Sequence, residues 1–301
     1  MFVKFVSWMV GVAFGIVVCS TSLSTASVLS NGNLTVQVLD SNGAISSATF
    51  GGSEFFAQGV ASAISDFGFQ NGADIDTFRR NDAYGNTDGI VGVPVTVSAN
   101  NVVTGTYTGG GAQVLFARSY SLLSGLNVLR ISTNLTNQGG ALQLSYFDTF
   151  DPDQGVDFGL GYETYNYVFP LAGGTVGQAR IDGGVGRQHT VLGGSLDSRV
   201  TVAAGYPFSI FDGYDLNDFF DMPFNGQDTY YDGGIHLGIR TNLAAGQTTN
   251  YTFDLAFGLT PASAQQAFTS GNPLPEPSTF VLAGLGLLGI LFTWRRGVRR
   301  R

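Results

Sequence analysis

The sequence predicts an all-β fold, a large antiparallel β-sandwich, flanked by an N-terminal signal helix and a C-terminal single transmembrane helix. Three observations predict it. From Asn33 to about Gly258 apolar and polar residues alternate in short runs, such as Leu34, Val36, Val38 and again Val93, Val95, Val97. That period of two is the signature of half-buried strands. Glycine and asparagine turns separate the runs, and with 43 glycines in 301 residues there is little room for helical periodicity. Long apolar runs occur only at the two ends.

Residues 1–26 read as a secretory signal peptide. Lys4 supplies the positive start, Phe5 to Val18 the apolar run, and Ser24 and Ala26 the small residues before a cut after Ala26. Cys19, the single cysteine, falls inside this segment, so the mature chain has no thiol and no disulfide. Ile16, Val17 and Val18 precede it where a lipidated cysteine needs small residues.

Residues 27–269 form the predicted sandwich. Runs continue at Thr106–Thr108, Gln113–Tyr120, Leu126–Leu135 and Ala141–Phe150, divided by Gly109–Gly111 and by Asn137–Gly140. One late helix is expected, with Thr260 as N-cap, Pro261 at its first position and Ala262 to Phe268 following. From Ser27 to Leu274 there are eight arginines, no lysine and 21 acids. Phosphate neutralisation needs clustered cations, so nucleic acid is excluded as a partner, while divalent cations suit the charge.

Residues 270–277 are a proline-rich linker, extended because proline fixes the backbone and removes a donor. Residues 278–294 form the expected membrane helix. At 1.5 Å per residue it spans about 26 Å, the short end of what a bilayer needs. Arg295, Arg296, Arg299, Arg300 and Arg301 follow in the tail 295–301. Positive residues stay cytoplasmic, so the helix enters from outside, and the signal peptide independently puts the preceding domain there.

The order Pro275, Glu276, Pro277, then a glycine- and leucine-rich helix, then arginines at the terminus resembles the PEP-CTERM sorting domain. The resemblance covers about the last 30 residues. It implies recognition and processing by an exosortase in a Gram-negative bacterium, with Pro275, Glu276 and Pro277 as the sorting motif, and a stay in the inner membrane before delivery to the cell surface or matrix. Leu274 departs mildly from the valine common before the tripeptide. The core resembles, more loosely, the supersandwich domains of carbohydrate-active proteins. Ser41 to Phe50 with Gly51 and Gly52 is similar to their opening hairpin, and Val128 to Asn137 leading to Asp148 to their central strands.

Two segments could carry chemistry. Asp148, Asp151, Asp153 and Asp157 fall within ten residues, with Pro152 and Gly155 bending the chain. Calcium takes several oxygens on such a loop, so these four are its candidate ligands, and calcium is the one cofactor the spacing suggests. An acidic turn between strands satisfies the same residues. No glutamate closes an EF-hand. The second segment, 211–232, interleaves six aspartates with aromatic rings; Tyr214, Phe219, Phe220, Tyr230 and Tyr231 are its candidate sugar contacts, because rings stack on sugar C–H faces while acids accept hydroxyl protons. Aromatics pinning a long loop to the sandwich explain it equally. His189 and His236 show no metal spacing, and no G-x-S-x-G elbow is present. The expectation is therefore a non-enzymatic exported surface or matrix protein associated with exopolysaccharide. The competing reading is an exported carbohydrate-binding or carbohydrate-active protein.

Overall fold

A computed structural model describes residues 26–56, 64–81, 93–98, 101–184, 187–205, 216–226 and 229–273. Residues 1–25 of the expected signal peptide, the expected membrane helix 278–294 with its arginine tail, Tyr214 and the Pro275–Pro277 tripeptide lie outside the described residues, while Ala26 opens the first strand. Among those described, no helix is long and apolar enough to cross a membrane.

The chain opens with β1 (Ala26–Ser30), β2 (Leu34–Leu39), β3 (Ile45–Phe50) and β4 (Ser53–Glu54). Next come β5 (Ile64–Asn71), β6 (Arg79–Arg80), β7 (Val95–Val97), β8 (Val102–Tyr107), β9 (Val114–Leu122), β10 (Val128–Asn137) and β11 (Leu142–Asp151). They are followed by β12 (Thr164–Leu171), β13 (Gly174–Arg180), β14 (Thr190–Ser195) and β15 (Val200–Gly205). A short helix α1 (Leu216–Asp221) leads to β16 (Thr229–Tyr231), β17 (Gly234–Leu243) and β18 (Thr248–Gly258), and α2 (Pro261–Gly271) ends the domain.

Two antiparallel sheets make the sandwich. The large sheet runs β16-β12-β13-β14-β18-β10-β9-β8-β7, the small one β15-β17-β11-β5-β6. A meander β1-β2-β3-β4 closes one end. Alternation decides what each strand buries. Ile131 and Leu135 of β10, Phe253 and Leu255 of β18, Tyr146 and Phe150 of β11, and Ile235, Leu237 and Ile239 of β17 all meet in one core. Leu34, Val36 and Val38 of β2 join it, so the meander belongs to the same hydrophobic unit.

At the centre of this core Arg118 of β9 pairs with Asp148 of β11 at 2.5 Å, both essentially without solvent exposure. The guanidinium also donates to the Tyr120 hydroxyl at 2.7 Å and the Tyr146 hydroxyl at 2.8 Å. Phe67 and Phe253 rings flank it at 5.0 and 5.7 Å. Burial pushes the Asp148 carboxyl up to about 6, against the pull of Arg118.

The expected late helix forms as α2. Thr260 caps it, its hydroxyl accepting from the Ser263 amide, while the Ser263 hydroxyl accepts from the Thr260 amide in a capping box. Ala264, Ala267 and Phe268 pack on Val128, Val176, Leu192 and Ala256, so α2 covers the outer face of the large sheet. On the outer face of the small sheet, Phe219 and Phe220 of α1 press against Gly238. A Cβ there would lie 2.7 Å from the Phe219 ring and 2.9 Å from that of Phe220, so only glycine lets the helix this close.

Candidate functional site

The acidic turn sits where β11 leaves the small sheet. Gln154 anchors it, its amide donating to the Ala179 carbonyl at 3.0 Å and the His189 carbonyl at 3.3 Å. Asp151 closes β11 and Asp153 follows Pro152; they are only 1% and 3% exposed. Across the sheet Gly234 opens β17. A Cβ there would strike the Phe150 carbonyl oxygen and come within 3.2 Å of the Asp151 Cα. Glycine at this position therefore lets the link from β16 to β17 run tightly past the end of β11, and that link carries Asp232.

Carboxylate oxygens of Asp151, Asp153 and Asp232 consequently lie within 4.8 Å of one another. None of the four oxygens of Asp151 and Asp153 has a hydrogen-bond partner. Burial first, then Asp153 and Asp232, raise Asp151 well above the usual carboxylate range. Burial and Asp232 push Asp153 up to about 7. Asp232, the more exposed member, is raised by burial and by Glu163. Burial leads in all three cases, and the neighbouring carboxylates push in the same direction.

Of the four acids grouped by sequence, the structure brings together two. Asp148 and Asp151 stand three apart on one strand, so their side chains leave opposite faces, and Asp148 points into the core at Arg118. Asp157 lies in the 3-10 turn Val156–Phe158, exposed and outside the group. Asp232 was assigned to the aromatic segment by sequence; the pair Gly233-Gly234 behind it is the only local hint of a close approach.

The aromatic candidates also divide. Phe219 is buried, and Phe220 lies beneath Arg240 at 4.8 Å, so both serve the packing of α1. Tyr230 instead is 39% exposed on β16, its ring 4.8 Å from that of Tyr165 on β12. Arg180 of β13 stands over the Tyr165 ring at 4.4 Å. Alternation along β12 puts Tyr167 and Phe169 on the same face as Tyr165, with their rings 5.1 Å apart. A row of rings thus crosses the outer face of the large sheet from its edge toward α2, where Phe169 joins the helix contact. Tyr162, also exposed, lies just before β12. Only Tyr230 of this row was singled out by sequence, because β12 reads simply as a strand.

Both histidines are structural. His236 shares a hydrogen bond with the Thr149 hydroxyl at 3.1 Å and donates from Nε2 to the Gly205 carbonyl at 3.1 Å; burial holds its pKa down to about 4. His189 contacts Ser53 at 3.2 Å and stacks on Phe158 at 4.8 Å, and burial lowers its pKa.

The chain leaves the domain through a polar clamp. Arg130 forms a two-pronged pair with Asp254 at 2.8 Å and also donates to the Gly271 carbonyl at 3.1 Å. Asn272 donates to Asp254 at 2.7 Å. The end of α2 is therefore bound to β10 and β18; Ser270 and Gly271, expected at the start of the linker, belong to the helix, and Asn272 to the clamp.

Fold and terminus together define a β-sandwich domain that ends in a protein-sorting signal. Residues 273–301 match the PEP-CTERM protein-sorting motif, which marks an exported protein sorted through an exosortase. No curated protein has a significantly similar sequence. Among solved structures, a bacterial glucoamylase complexed with acarbose is similar with a TM-score of 0.50 at 14% identity, covering 81% of this chain and 34% of that one. The chain thus spans about a third of the glucoamylase's length. A polysaccharide lyase has a TM-score of 0.46 at 14% identity, over 81% of this chain and 34% of that one. A galactose mutarotase-like protein from Lactobacillus casei has a TM-score of 0.41 at 10% identity, over 78% and 100%. At such identities the glucoamylase match speaks for the sandwich fold alone, the fold class expected from the sequence.

Proposed function

We propose that the chain is a non-enzymatic surface or matrix protein, exported by residues 1–26, held in the inner membrane by residues 278–294, and delivered to the envelope or its exopolysaccharide after exosortase processing at Pro275–Pro277. The sorting motif at 273–301 carries this reading. The clamp supports it, since it ties the chain to the sheet at Asn272, three residues before the tripeptide. Three peptide units separate Asn272 from Pro275, so the motif stands no more than about 10 Å beyond the clamp. Deleting residues 278–301 is expected to release the domain into the periplasm, and Glu276→Ala to leave the protein unprocessed in the membrane. Unchanged fractionation of both variants would overturn the reading.

A second reading, carbohydrate binding, is favoured by the ring row of Tyr230, Tyr165 and Tyr167 with Tyr162 beside it. Aromatic faces on an exposed sheet edge suit the C–H faces of sugars. Pull-down on the producing strain's own polysaccharide, repeated with Tyr165→Ala and Tyr230→Ala, tests it. Binding lost in the variants supports the row as the contact; binding that is absent from the native protein, or retained in both variants, removes it.

A further inference from the structure

We propose that Asp151, Asp153 and Asp232 form a calcium site that ties the end of β11 to the link between β16 and β17. The three carboxylates offer oxygens within 4.8 Å of one another. Oxygens no farther apart than this fit within the shell of calcium, whose bonds to oxygen are about 2.4 Å long. Asp151 and Asp153 are almost wholly buried, yet all four of their oxygens lack a hydrogen-bond partner. Folded proteins rarely leave such groups unmatched, because an unpaired buried charge costs several kcal/mol. A divalent cation is the partner that would satisfy all of them together.

The donor set is oxygen only. Neither His189 nor His236 belongs to the group, and the chain's only thiol is Cys19, so the chemistry is that of a hard ion and not of zinc. Carbonyls of the turn and water would complete the six to eight oxygens calcium takes. Asp232, nearest to solvent, gives the ion its way in.

The test uses the full-length chain in detergent, stripped with chelator and titrated with calcium chloride to about 10 mM, roughly tenfold above the dissociation constants of the weakest extracellular calcium modules. One saturable site per chain and a rise in melting temperature are expected. Asp153→Asn should abolish both. Asp232→Asn, at the more exposed position, should fold in any case and weaken binding about tenfold or more. Asp157→Asn should bind as the native chain does. Four outcomes would each overturn the assignment: no saturable binding by about 10 mM, native-like binding in Asp232→Asn, binding lost in Asp157→Asn, or an equal thermal response to magnesium.

Discussion

His236 should make the protein acid-labile in a measurable window. Its ring lies within the small sheet between Thr149 and the Gly205 carbonyl, and burial holds its pKa to about 4. In the unfolded chain a histidine titrates near 6.5. The folded value is the depressed one, so the contribution is fully present above about 6.5 and is lost as pH falls through about 4. The gap of roughly 2.5 units corresponds to about 3 kcal/mol. The native curve alone cannot isolate this, because Asp148, raised to about 6, and Asp153, raised to about 7, act in the opposite sense and lose stability as pH rises. His236→Gln removes one titration and leaves those in place. Urea unfolding of native and variant chains from pH 7.5 to 4 should show the native advantage shrinking by about 3 kcal/mol. A constant difference across that range would refute the reasoning.

The central ion pair should respond asymmetrically. Asp148→Asn strands a guanidinium that cannot lose its proton, and is expected to cost about 3–5 kcal/mol at every pH in chemical unfolding. Arg118→Met strands a carboxyl that can be neutralised, so its loss should be smaller at pH 5 than at pH 8; equal losses at both would contradict the account. Thr260→Ala removes the α2 cap and should cost about 1 kcal/mol by the same assay. Gly238→Val drives a side chain into Phe219 and Phe220 and should cost about 1–3 kcal/mol, with α1 more open to proteolysis.

What the sequence disclosed follows from what is local. The strands are local, because Leu34, Val36 and Val38 carry their burial pattern within six residues. The cap of α2 is local too, written in Thr260, Pro261 and Ser263. The acidic turn was visible as a cluster, but its membership was not. Proximity in sequence grouped Asp148 with Asp151, and the strand's alternation sends them to opposite faces. Asp232 reaches the group only because β11 pairs with β17, a contact between residues some eighty positions apart that no window of sequence contains. The ring row was missed for a related reason. Tyr165 and Tyr230 become neighbours only through the pairing of β12 with β16.

The exit of the chain bears on when that ring row could act. Asn272 is clamped to β10 and β18 beneath α2, and α2 covers the same outer face of the large sheet that carries Tyr165 and Tyr167. Three strand spacings separate β12 from β18, about 14 Å. The proposed anchor begins at Ser278, six residues past the clamp, a reach of at most about 20 Å. While the anchor holds, the outer face of the large sheet is therefore kept within that distance of the membrane at the point of exit. A polysaccharide chain approaching the rings competes with the bilayer for this space, and cleavage at the tripeptide removes the restriction. Polysaccharide binding should accordingly be stronger for the processed protein than for Glu276→Ala retained in vesicles. Equal binding by the two forms would show that the ring row is either not the contact or not shielded by the tether.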